Sequence, residues 1–128
     1  MSGILADTSI WVAHFRRPDA TLQSLLQTDQ VLCHPLIVIE IACGSPPSPR
    51  SRMLADLQNL RQPVLAMPDE ILALIERERI ANSGCGAVDA ALLACVLLTP
   101  GTRLWTADRP LAALARRLGV LFDSPPSM

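Results

Sequence analysis

Four acidic residues stand where an apolar chain has little reason to put them. Asp7 closes Ile4-Leu5-Ala6, and Glu40 interrupts Leu36-Ile37-Val38-Ile39 ahead of Ile41-Ala42-Cys43. Asp89 lies within Ala87-Val88-Asp89-Ala90-Ala91-Leu92-Leu93-Ala94, and Asp108 follows Leu104-Trp105-Thr106-Ala107. A carboxylate taken out of water is costly unless it is paired, hydrogen-bonded or bound to metal. No Lys or Arg stands beside the two deepest, so a shared cation is the economical partner. Four carboxylates brought to one place repel each other and raise each other's pKa. A hard divalent ion relieves that repulsion, and all-oxygen ligation suits Mg²⁺ or Mn²⁺ rather than zinc. Paired ions about 4 Å apart are a common device for phosphodiester cleavage.

The remaining eight acids have structural accounts. Asp19, Asp69 and Glu70 lie at expected helix starts, where carboxylates satisfy free N–H groups and the helix dipole. Asp56, Glu76 and Glu78 fall on polar helical faces, and Asp29 and Asp123 belong to turns. Asp7 and Asp108 instead follow strand-like runs, at the carboxyl ends of what would be parallel strands. In open α/β sheets that edge binds ligands. Asp89 shares a helical face with Leu92, Leu93, Val96 and Leu97. Glu40 is one turn from Leu36 and Ile37 on one side and from Cys43 on the other. Singly, Glu40 and Asp89 read as caps or satisfied core carboxylates; with Asp7 and Asp108 they read as a site.

Short β-like runs alternating with helical patterns predict an α/β domain with a mainly parallel sheet. The expected strands are Ile4 to Ala6, Val31 to Cys33, Val64 to Ala66, Arg103 to Thr106 and Val120 to Phe122. Helices are expected from Pro18-Asp19 towards Gln27, from His34-Pro35 with proline at the first position, and from about Arg50 to Leu60. Another opens at Pro68-Asp69-Glu70, with Ile71, Leu72 and Ile75 facing inward. Ala87 to Leu98, apolar on all sides, predicts a buried helix. The last opens at Pro110 and stops near Gly119. His14 ends a short amphipathic turn.

At 128 residues the chain is expected to form one domain over 1–128 with a single sizeable core. Half the residues are hydrophobic, which excludes a disordered chain. Apolar runs end before membrane-spanning length and the N-terminus has no secretory pattern, so a cytoplasmic protein without membrane association is expected. A net charge of −1 excludes a globally basic nucleic-acid binder but not a local basic rim. Every cation is Arg. Arg16, Arg17 and Arg109 are the candidates to line an RNA path by neutralising phosphates. Cys33, Cys43, Cys85 and Cys95 lack zinc spacing and read as reduced, mostly buried thiols. Trp11 and Trp105 read as core, and His14 and His34 assemble no acid–base set.

Asp7-Thr8-Ser9-Ile10-Trp11-Val12, the isolated Glu40, Val88-Asp89-Ala90-Ala91-Leu92-Leu93-Ala94 and Leu104-Trp105-Thr106-Ala107-Asp108-Arg109-Pro110-Leu111 resemble the PIN-domain ribonucleases. The nearest likeness is to the VapC-type toxins of bacterial toxin–antitoxin pairs, and it covers essentially the whole chain. The resemblance implies a three-layer α/β/α sandwich around a central, mainly parallel sheet of about five strands, usually as a homodimer. It implies Mg²⁺- or Mn²⁺-dependent cleavage of RNA, commonly transfer or ribosomal RNA. It also implies inhibition by a small cognate antitoxin of VapB type. Carried over by residue, Asp7 and Asp89 match the principal metal ligands, Glu40 and Asp108 the other acids of the catalytic quartet, and Ser9 and Thr106 supporting polar positions. Two rivals stand beside it. A receiver-type phosphoacceptor domain needs a lysine this chain lacks, and a catalytically inactive PIN-like scaffold would have no need of all four acids.

Overall fold

Gly3–Ala6 (β1), Val31–Leu32 (β2) and Thr102–Trp105 (β3) form a parallel sheet in the order β2-β1-β3. These coordinates are a computed structural model, which describes residues 2–123. The central strand sets the register: Leu5 stands opposite Leu32 on one side and Leu104 on the other, and all three are buried. Parallel strands need crossovers, and helices supply them.

Seven helices are present among the described residues: α1 (Thr8–Arg16), α2 (Ala20–Gln27), α3 (Pro35–Cys43), α4 (Arg50–Gln58), α5 (Pro68–Arg77), α6 (Ala87–Leu98) and α7 (Arg109–Arg117). Most start on a legible signal. Asp19 caps α2 by accepting from the Leu22 N–H at 2.9 Å. His34 caps α3 through Nδ1, which accepts from the Leu36 N–H at 2.9 Å. Burial lowers the His34 pKa, so the neutral imidazole is the form that caps. In α6, every residue from Ala90 to Val96 is buried, as an all-round apolar helix requires.

Three expectations are corrected. The segment expected only as a turn ending at His14 is the full helix α1, started by the Asp7 cap despite β-branched Thr8, Ile10 and Val12. In α5 it is Leu74 that is buried, while Leu72 is 60% exposed, because the stripe runs through Ile71, Leu74 and Ile75. Among the described residues the sheet has three strands, where about five are expected. Val120–Phe122 lies beside β3 as one bridge, Leu104 with Leu121, its backbone bonded at 2.8 Å both ways. Val64–Ala66 is not a strand: the Val64 N–H goes to the Thr99 hydroxyl at 2.8 Å and the Ala66 N–H to Cys95 Sγ at 3.3 Å. Side chains of the helix 87–98 region thus satisfy donors that a ladder would have used. The bridge on that side falls at Arg61, whose carbonyl accepts from the Cys33 N–H at 2.9 Å.

Trp11 and Trp105 are buried, as expected. The four cysteines are free; Cys33 and Cys95 are buried, Cys85 is half-buried, and Cys43 is exposed. Burial pushes the Cys33 thiol up to about 12. No helix among the described residues is long and apolar enough to cross a membrane. The core centres on side chains such as Leu93, which is fully buried between the sheet and the outer helices. Leu93→Ala is expected to cost about 2–5 kcal/mol through lost contacts and a residual cavity, read as a lower denaturation midpoint at unchanged slope.

Candidate active site

β1 delivers Asp7 directly off its carboxyl end, and the same residue begins α1. Its extended backbone (φ −77°, ψ 178°) lets the carboxylate turn back over the free N–H groups of the first turn. Oδ1 accepts from the Ser9 N–H at 3.0 Å, from the Ile10 N–H at 3.4 Å and from the Ser9 hydroxyl. Oδ2 accepts from the Thr106 hydroxyl, which lies 99 positions away in the chain.

β3 delivers the second turn. The Asp7 N–H donates to the Trp105 carbonyl at 3.0 Å, which holds the two strand ends side by side. Thr106 Oγ1 donates to Asp7 and accepts from the Asp108 N–H at 3.0 Å. The Ser9 hydroxyl oxygen accepts from the Ala107 N–H at 3.0 Å. Ser9 and Thr106 therefore stitch the β1–α1 turn to the β3–α7 turn. Asp108 caps α7, its Oδ2 accepting from the Leu111 N–H at 3.4 Å. Thr106→Val keeps the shape but removes both hydroxyl roles. It is expected to destabilise the fold by about 1–3 kcal/mol, measurable by chemical denaturation.

The other two acids arrive from helices. Asp89 sits in the first turn of α6, half-buried, with Oδ2 accepting from the Gly86 N–H at 3.2 Å. Glu40 lies on the exposed face of α3 and accepts from the hydroxyl of Thr8, the residue after Asp7. Thr8 had drawn no notice in the sequence; its only signal was adjacency to Asp7.

Electrostatics ties the set together. Asp7 is only 6% exposed, and burial raises its pKa against the opposing pull of the bonds from Ser9, Thr106 and Ile10. Burial also raises the pKa of Asp89, followed in the same direction by the charges of Asp108 and Asp7. Asp89 thus feels the charges of the other two aspartates. The ion pairs among the described residues are Arg61–Asp29, Arg77–Glu78 and Arg116–Asp123, so none neutralises the four acids. Arg109 is exposed at the start of α7 beside Asp108. Arg16 and Arg17 are exposed at the far end of α1, roughly 13 Å along the helix axis from Asp7.

Among the described residues, no three His, Cys, Asp or Glu side chains are grouped so that they could hold a metal ion as they lie. Asp7, Asp89 and Asp108 each accept from a backbone N–H at the start of a helix. The donor set still suits a hard divalent cation. It consists of carboxylate oxygens, two of them on desolvated groups without a cationic partner. Mg²⁺ in particular is ordinarily held by one or two carboxylates, waters and substrate phosphate rather than by an all-protein cage.

No family model matches the chain. Two curated proteins do, both called Ribonuclease VapC32, from Mycobacterium tuberculosis strains CDC 1551 / Oshkosh and ATCC 25618 / H37Rv. Each is 46% identical to this chain over 117 residues, covering 91% of this chain and 94% of the relative.

Proposed function

The chain belongs to the VapC-type PIN ribonucleases, and from that premise we propose that it is a toxin endoribonuclease cutting RNA at the cluster of Asp7, Glu40, Asp89 and Asp108. The observation that carries the site is Asp7: a buried carboxylate at the end of the central strand, beside Asp89 and Asp108, with no Arg to offset its charge. The reading extends to Mg²⁺ or Mn²⁺ as cofactor, to transfer or ribosomal RNA as substrate, and to a small VapB-like antitoxin as inhibitor. It includes a cytoplasmic homodimer and a single α/β/α domain over 1–128.

Asp7 and Asp89 would hold the ion, with Asp108 and Glu40 at its margins. A bound divalent cation supplies positive charge that acidifies water and offsets charge on the phosphate. Ser9 and Thr106 lock the Asp7 carboxylate in one orientation, so little reorganisation is needed when substrate arrives. Glu40, exposed and bonded to the Thr8 hydroxyl, would take the proton from the attacking water. The new P–O bond would form from water, the bond to the 3′ oxygen would break, and that oxygen would take up a proton from solvent, leaving a 5′-phosphate and a 3′-hydroxyl. Arg16, Arg17 and Arg109 offer cationic contacts to the RNA backbone.

A labelled structured RNA incubated with the purified protein tests this. Cleavage in Mg²⁺ or Mn²⁺ should stop with chelator and return when the ion is restored. RNA left intact by folded protein in both ions would leave the inactive scaffold as the better description.

A further inference from the structure

Beside the acids, a cleft of about 510 Å³ opens between α1, α3 and the loop that follows α3. Its walls include Val12, Phe15, Arg16, Glu40, Ser45 and Pro46. Three observations bear on what it takes. Glu40 lines it and is bonded to Thr8, next to Asp7, so the cleft is continuous with the acidic cluster. Arg16 lines it, is exposed, and forms no ion pair among the described residues. Phe15 presents a ring steadied by Trp11, 6.1 Å away between centroids, and by His14 at 6.3 Å. The loop wall is held in turn by Arg50, which donates to the Ala42 carbonyl at the end of α3.

One cation, one aromatic face and a volume suited to a small ligand describe a single-nucleotide pocket, not a duplex groove. Resting on the reading of the acids as an RNA-cleaving centre, we propose that this cleft receives one unpaired nucleotide next to the scissile phosphate, its base against Phe15 and its phosphate on Arg16. Sequence-specific RNA recognition works mainly on splayed-out bases stacked on aromatic or guanidinium planes. The pocket would therefore set which RNA position is cut, while the acids do the cutting. Arg16 is singled out from Arg17 and Arg109, which do not line the cleft.

Binding tests this apart from catalysis. A fluorescent hairpin with a single-stranded loop is titrated with the full chain in chelator, across a series of salt concentrations. Arg16→Gln is expected to weaken binding about tenfold and to lower the salt slope by about 0.7, the value of one single-strand phosphate contact. Phe15→Leu, which keeps an apolar side chain against Trp11, is expected to weaken binding at least about fivefold through lost stacking, with an unchanged slope. Arg103→Gln, at the one exposed position of β3 and outside the cleft, serves as control and should bind as wild type. A blunt duplex should bind wild type more weakly than the loop and be indifferent to Phe15→Leu. Loop binding by Arg16→Gln equal to wild type, or no loop binding by wild type, overturns the pocket. If loop RNA is bound as expected but never cut in Mg²⁺ or Mn²⁺, the catalytic reading fails and the pocket stands. If Phe15→Leu does not fold, the Arg16→Gln slope decides alone.

Discussion

Asp7→Asn is expected to slow RNA cleavage by at least about 10²–10³-fold, the range for removing one preorganised electrostatic group from an active site. The fold should survive, and the structure says why Asn is the informative replacement. Asp7 is also the N-cap of α1, and Asn caps a helix about as well as Asp. One amide oxygen can still accept from the Ser9 and Ile10 N–H groups, and the amide nitrogen can donate to Thr106, whose hydroxyl has been a donor to Asp7. Asp7→Ala would mix two effects: a cap loss of about 1 kcal/mol and two hydroxyls stripped of their acceptor. Asp89→Asn should behave likewise, since Asn can still accept from the Gly86 N–H. Each variant would be compared by cleavage rate and melting curve together. Wild-type cleavage by folded Asp7→Asn would remove Asp7 from the mechanism.

The second large effect is on stability and has a definite sign. Asp7 and Asp89 both have folded pKa values raised above the ordinary 3.8, with burial as the first cause. A group shifted that way favours folding most when protonated, below its unfolded pKa, and the advantage is lost as pH rises through the raised folded value. In chelator, wild type should therefore gain melting temperature relative to Asp7→Asn as pH falls from neutrality towards that range. At neutral pH, Asp7→Asn should melt no lower than wild type. Mg²⁺ reverses the ranking. At a hundredfold excess over its Kd, an ion bound only by the folded state adds about 2.7 kcal/mol, which is a rise of about 10 °C for a domain of this size. Wild type should show that rise and the two Asn variants should not. A melting temperature indifferent to Mg²⁺ and Mn²⁺ would count decisively against a shared cation.

Much of this arrangement was legible before any coordinates. Asp7 and Asp108 could be placed at strand ends because Ile4-Leu5-Ala6 and Leu104-Trp105 are short apolar runs followed at once by polar turn residues. The helix Ala87–Leu98 was readable to the residue, since an apolar stretch broken only by Asp89 runs between Gly86 and Thr99. What escaped the sequence depended on partners far along the chain. Val64-Leu65-Ala66 has strand composition, yet its N–H groups are taken by Thr99 and Cys95, so it lies extended without a ladder and leaves Val64 and Leu65 exposed. Helix α1 was hidden because Thr8, Ile10 and Val12 carry β-branched side chains, and only a cap decides between the two conformations. The split between capping acids and site acids also proved too sharp. Asp7, Asp89 and Asp108 each bond the first turn of a helix, so the groups proposed for chemistry are also groups that start helices.

The seam between the two turns has a bearing on how this chain is made. Asp7 is translated about a hundred codons before Thr106, Ala107 and Asp108, which secure it and its neighbour Ser9. A partly synthesised chain carries the first acid without its clamp. The clamped form of the Asp7 carboxylate is therefore a feature of a chain that has been made at least as far as Asp108.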